Sequence, residues 1–117
     1  MTEIKIYHNP RCSKSRQTLA LIEEQGIKPT IIEYLSQPPS VAELTDVIKM
    51  LSISASDLIR KRETEYKASG LDNELLSEQQ QIELMVANPK VIERPIVIAN
   101  GKAAIGRPPE SVLAILK

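Results

Sequence analysis

The stretch Glu3–Tyr34, EIKIYHNPRCSKSRQTLALIEEQGIKPTIIEY, decides the fold. Glu3 to Tyr7 alternate polar and apolar residues with the period of a strand. His8 to Arg11, broken by Pro10, read as a loop. Ser13 to Gln25 then place Leu19 and Ile22 on one helical face, and Gly26 stands where a helix C′ residue belongs. Thr30 to Tyr34 predict a second strand. A strand, a helix and a strand in so short a span imply parallel strands joined by a right-handed crossover.

Downstream the pattern changes. Ser40 and Glu43 form a capping box ahead of Val41, Leu44, Val47, Ile48 and Leu51, which share helical spacing. Ser54 and Asp57 mark another helix start before Arg60. Glu63 to Ser69 predict one or two turns, stopped near Gly70. Ser77 and Gln80 form a further capping box, with Ile82 and Met85 behind it, and Asn88-Pro89 ends that helix. The chain then returns to sheet. Pro95 to Ala99 predict a strand, Asn100-Gly101 a two-residue hairpin turn, and Lys102 to Gly106 the returning strand. Pro108 and Pro109 fit the start of a last helix running through Leu116. The order is β-α-β, a helical insert over about 38–90, then β-β-α. This is a thioredoxin-type α/β arrangement, expected as a single domain over the 117 residues.

Composition narrows the function. Fifteen basic residues balance fifteen acidic ones, which argues against a general nucleic-acid or membrane-surface role. With no Phe or Trp and three Tyr, platforms for base stacking are scarce. The core must be built from Ile, Leu and Val. The start of the chain, MTEIKIYHNPRC, runs directly into a strand and lacks an apolar signal-peptide core, and no apolar run reaches membrane-spanning length. The expectation is a reduced, cytoplasmic protein. The single cysteine can form no internal disulfide, and no Cys/His cluster has metal-site spacing, so no metal is expected.

That cysteine, Cys12, falls at the turn between the first strand and the first helix, the edge where open α/β sheets place their ligand sites. The amides of Lys14 and Ser15 and the helix dipole favour an anionic sulfur there, and Arg11, Lys14 and Arg16 add positive charge. The hydroxyl of Ser15 can reach the sulfur. These are the features of an activated nucleophile. A lone cysteine is equally read as a small buried hydrophobe. His8, the only histidine, lies four residues before Cys12, either as a cation or proton shuttle for the thiol or as a plain strand-end residue. Asn9 and Pro10 shape the loop. Arg60, Arg94 and Arg107 stand in three separate segments, and their planar forks suit oxyanions. No spacing rule brings these three together, and any one of them is also readable as a surface charge. Arg94 precedes Pro95 at a strand start where thioredoxin-like folds carry a cis-proline.

The segment His8-Asn9-Pro10-Arg11-Cys12-Ser13-Lys14-Ser15-Arg16 resembles the active-site segment of the ArsC family, the glutaredoxin-coupled arsenate reductases. Leu58-Ile59-Arg60-Lys61, Arg94-Pro95-Ile96-Val97 and Gly106-Arg107-Pro108 extend the resemblance, as does the break at Asn88-Pro89. It covers essentially the whole chain.

The resemblance implies that Cys12 attacks the arsenic of arsenate. Arg60, Arg94 and Arg107 would hold its oxygens, and His8 and Ser15 would tune the thiolate. Glutathione, a co-substrate rather than a bound cofactor, would attack the adduct and leave a mixed disulfide on Cys12, which glutaredoxin would reduce. A chain without a resolving cysteine must take its second and third thiols from outside. The resemblance also favours a monomer. Two other readings stand beside it. One is a glutathione-dependent thiol reductase acting on another substrate. The other is a regulator resembling the Spx proteins, which share the fold and bind RNA polymerase. Spx-like chains typically carry Cys-x-x-Cys. This chain has Cys12-Ser13-Lys14-Ser15, which cannot close that disulfide, and it keeps Arg107.

Overall fold

Strand β1 (Lys5–Tyr7) lies at the centre of one mixed four-stranded sheet in the computed structural model, which describes residues 3–116. It pairs in parallel with β2 (Thr30–Ile32), through Lys5–Thr30, Ile6–Ile31 and Tyr7–Ile32. On its other side it pairs antiparallel with β3 (Ile96–Ala99), which pairs antiparallel with β4 (Lys102–Ile105). The order β2-β1-β3-β4, with helix α1 (Ser13–Glu24) crossing from β1 to β2, is the thioredoxin-like arrangement. Asn100 (φ 56°) and Gly101 (φ 73°) both adopt positive φ, as a two-residue turn of matching twist requires.

The chain divides into two units. The first joins the stretch through Gln37 to the stretch from Arg94 onward, and the second is Pro38–Glu93, close to the span 38–90 expected for the helical insert.

The core of the first unit covers one face of the sheet. Ile6 and Val97 are register partners, so their side chains share a face, and Ile22 of α1 and Val112 close over them. All four are fully buried, and each contributes about 1.5–3 kcal/mol through burial. Val112 belongs to the last helix, Pro109–Ile115, which is a 3₁₀ helix. The sequence expectation was an α-helix running to Leu116. Pro109, Val112 and Ile115 recur every third residue, so a pitch of three residues per turn places all three on the inner face. Strand β2 ends two residues earlier than expected. The Glu33 carbonyl accepts from the amides of Ser36 (3.0 Å) and Gln37 (2.9 Å), which turns the chain and buries Tyr34.

In the second unit, both expected capping boxes form. Ser40 Oγ accepts from the Glu43 amide (3.1 Å) and Glu43 Oε1 accepts from the Ser40 amide (2.9 Å), opening α2 (Val41–Leu51). Ser77 and Gln80 do the same for α4 (Glu78–Ala87), after the single turn α3 (Thr64–Ala68). Leu44, Val47 and Ile48 of α2 are buried where that helix packs on α4, which buries Ile82 and Met85. A 3₁₀ turn, Ala55–Leu58, also packs on α4. At its start the amide and hydroxyl of Ser54 both donate to Asp57, which holds that carboxyl below its usual range. Its far end is tied to the Pro89–Val91 turn by Arg60 N–H to Val91 O (2.6 Å) and Glu93 N–H to Leu58 O (2.8 Å). Among the described residues, no helix is long and apolar enough to cross a membrane.

Candidate active site

The loop after β1 is built by its own sequence. The His8 amide donates to Ile32 O at 2.8 Å, which pins His8 to the end of the β1–β2 pairing. Asn9 and Pro10 then take the first two positions of a turn closed by Cys12 N–H to Asn9 O at 3.0 Å, positions that asparagine and proline favour. Asn9 Oδ1 accepts from the Arg11 amide (3.0 Å), and Arg16 Nη1 donates to Pro10 O (2.9 Å). Cys12 therefore arrives as the N-cap of α1, its carbonyl accepting the Arg16 amide at 3.0 Å.

Cys12 is 9% exposed, and its sulfur is directed to a partner from the far end of the sequence. Arg107 Nη2 lies 3.7 Å from Cys12 Sγ, while Nε of the same guanidinium donates to Arg94 O at 2.9 Å. One planar group thus links the thiol to the main chain at Arg94. Nε and Nη1 of Arg94 are themselves buried. The Arg94–Pro95 and Arg107–Pro108 peptide bonds are both cis.

Two sequence expectations change here. The amides of Lys14 and Ser15 were expected to point at the sulfur, but the Cys12 side chain makes no capping hydrogen bond, because Sγ is turned to Arg107. Ser15 was expected to offer its hydroxyl to the sulfur. Instead Ser15 Oγ lies 2.6 Å from His8 Nδ1 and accepts the Asn9 amide at 3.0 Å, so this fully buried hydroxyl braces the loop.

His8 is 6% exposed. Burial lowers its pKa below 6.5, Glu33 opposing and Arg16 adding to the effect. The neutral imidazole is favoured, which counts against the cationic role that its place beside the thiol invited. His8, Asn9, Pro10, Arg11, Glu33 and Leu35 line an open cleft of about 250 Å³.

The structure brings Cys12, His8, Ser15, Arg94 and Arg107 into the first unit. Arg60 belongs to the second. There its guanidinium reaches Glu63 at 2.5 Å and Glu93 at 3.9 Å. Among the described residues no group of three or more His, Cys, Asp or Glu is placed to hold a metal ion. Sequence reasoning missed Thr18, which lies against Gly106 of the Gly106-Arg107-Pro108 motif. The available signal was Thr18 itself, a polar residue on the buried stripe of α1 between Ser15 and Ile22.

The site is a lone thiol at a strand-to-helix turn of a thioredoxin-like fold, with an arginine beside its sulfur. The family model described as the ArsC family matches residues 7–115, and the chain belongs to that family. It is similar to the "Uncharacterized protein YfgD" of Escherichia coli K12, at 54% identity over 97% of each chain. It is also similar to an arsenate reductase of Neisseria meningitidis, at 48% identity over 99% of this chain and 100% of that one. Among solved structures, an arsenate reductase from Vibrio cholerae superposes with a TM-score of 0.94 at 48% identity, over 98% of each chain.

Proposed function

We propose that this chain reduces arsenate to arsenite, with Cys12 as the nucleophile and glutathione and glutaredoxin as the external thiols. The observation that carries the reading is the contact between Arg107 Nη2 and Cys12 Sγ at 3.7 Å. A guanidinium there stabilises the anionic sulfur and then meets the oxygens of whatever the sulfur attacks. The relatives named arsenate reductase over essentially the whole chain supply the substrate.

The Cys12 thiolate attacks arsenic(V) and an arsenate oxygen leaves as water. The thiol of glutathione then attacks. Two electrons pass to arsenic as the two sulfurs join, releasing arsenite and leaving a Cys12–glutathione disulfide. One thiol of the protein, one glutathione and one arsenic acid thus give one mixed disulfide, one arsenous acid and one water. Glutaredoxin returns Cys12 to the thiol by exchange. Arg94 and Arg107 hold the oxyanion. His8 and Ser15 hold the loop that presents the sulfur. A reduced compartment such as the cytoplasm suits a lone thiol that must stay free between turnovers.

Intact-mass analysis tests this directly. Incubation with arsenate and glutathione is expected to add one glutathione to the wild-type protein and none to Cys12→Ser. Formation of the adduct at the same rate without arsenate would contradict the reading.

A further inference from the structure

Gly106 is buried, and its backbone does not require a glycine, since its φ lies outside the left-handed region. Space is what excludes a side chain. A Cβ at this position would overlap Thr18 Oγ1, and would lie 2.8 Å from Pro95 Cγ and 3.0 Å from Thr18 Cγ2. None of these atoms is the loose end of a flexible chain. Pro95 is a ring, and Thr18 is β-branched, fully buried, and fixed by its hydroxyl donating to Lys14 O at 2.8 Å. The Gly106 amide in turn donates to Pro95 O at 2.9 Å.

We infer that the Thr18–Gly106 contact is a positioning device for the Cys12–Arg107 pair. Cys12 caps the helix that carries Thr18, and Arg107 is the next residue after Gly106. Thr18 sits six residues into a rigid helix, about 9 Å along its axis from Cys12 at ~1.5 Å per residue. The depth at which Thr18 seats against Gly106 therefore sets where the helix end, and Sγ with it, stands relative to the chain that bears Arg107. Arg107 is held from its own side by Nε on Arg94 O at 2.9 Å, so the guanidinium cannot follow a displaced sulfur without losing that bond. The contact is 3.7 Å long, so moving Sγ further from Nη2 weakens it. Neither Thr18 nor Gly106 touches the sulfur. Both act through the geometry of the two residues that do. The inference rests on the reading of Cys12 and Arg107 as the reacting pair.

The test is the rate of Cys12 alkylation by iodoacetamide at neutral pH, which needs no arsenate and so separates this inference from the substrate assignment. Thermal unfolding of each variant accompanies it. Gly106→Ala is expected to slow alkylation about tenfold, as Arg107→Ala does, the size expected for loss of one charge-assisted contact. In an Arg107→Ala background Gly106→Ala is expected to add nothing, because the contact it disturbs is already gone. Thr18→Ala with Gly106→Ala removes the hydroxyl and the methyl that the new Cβ would meet and is expected to restore most of the rate. If Gly106→Ala alone does not fold, Thr18→Ala carries the test, with the same loss and the same absence of effect without Arg107. Wild-type rates in Gly106→Ala or Thr18→Ala, losses that multiply with that of Arg107→Ala, or an Arg107→Ala protein that alkylates normally would each overturn the inference.

Discussion

Arg107 and Cys12, 95 residues apart in sequence, meet through Nη2 and Sγ at 3.7 Å. The same guanidinium uses Nε to hold the Arg94 carbonyl at 2.9 Å. A planar fork makes both contacts at once, and an ammonium on a flexible stem cannot. Arg107→Ala is expected to lower kcat by about 100- to 1,000-fold, the cost of losing one donor aimed at developing oxyanion charge. Arg107→Lys is expected to recover little of it. Steady-state kinetics on purified variants check both.

Ser15 predicts a stability effect. Its hydroxyl is fully buried between His8 Nδ1 at 2.6 Å and the Asn9 amide at 3.0 Å. Ser15→Ala leaves both groups without that partner and is expected to cost about 1–3 kcal/mol. Urea denaturation reads this as a lower midpoint with an unchanged slope.

The pH dependence follows from His8, whose pKa is lowered from 6.5 chiefly by burial. Below 6.5 the unfolded chain binds a proton that the folded chain resists. The His8 contribution is therefore fully present above 6.5 and is lost as pH falls from there to the folded pKa. Denaturation midpoints measured on either side of 6.5 are expected to fall with acid in the wild type and to fall less in His8→Gln.

The capping boxes give a local prediction. Ser40→Ala removes the acceptor for the Glu43 amide and is expected to cost about 1 kcal/mol of stability. The exposed site makes this separable from the chemistry, so turnover should be unchanged at temperatures where both proteins are folded.

The helix starts were legible because a capping box is a relation between residues three apart, as at Ser40–Glu43 and Ser77–Gln80. The strands were legible as elements but not in length, since pairing sets their ends. Thr30–Ile32 stops where the Glu33 carbonyl closes a turn. The pitch of the last helix depended on which residues face the core, a tertiary fact. The place of Cys12 at a strand-to-helix turn could be read from the local pattern. The partner of its sulfur could not, because no periodicity links residues 12 and 107. Arg107 was a candidate for its planar fork alone, and the family resemblance is what tied it to Cys12. Ser15 was expected to face the sulfur because it lies one turn away. The tie it makes instead depends on His8 being buried, and burial is not written in the loop sequence.

The central claim is that Cys12 reduces arsenate with thiols supplied from outside. Arsenate-dependent NADPH oxidation, coupled through glutathione, glutaredoxin and glutathione reductase, tests it most directly, with wild type and Cys12→Ser compared at equal concentration. The account predicts turnover in the wild type that requires arsenate and glutaredoxin and disappears in Cys12→Ser. Equal turnover in the two proteins, or none in a wild type whose Cys12 is free and folded, would contradict it.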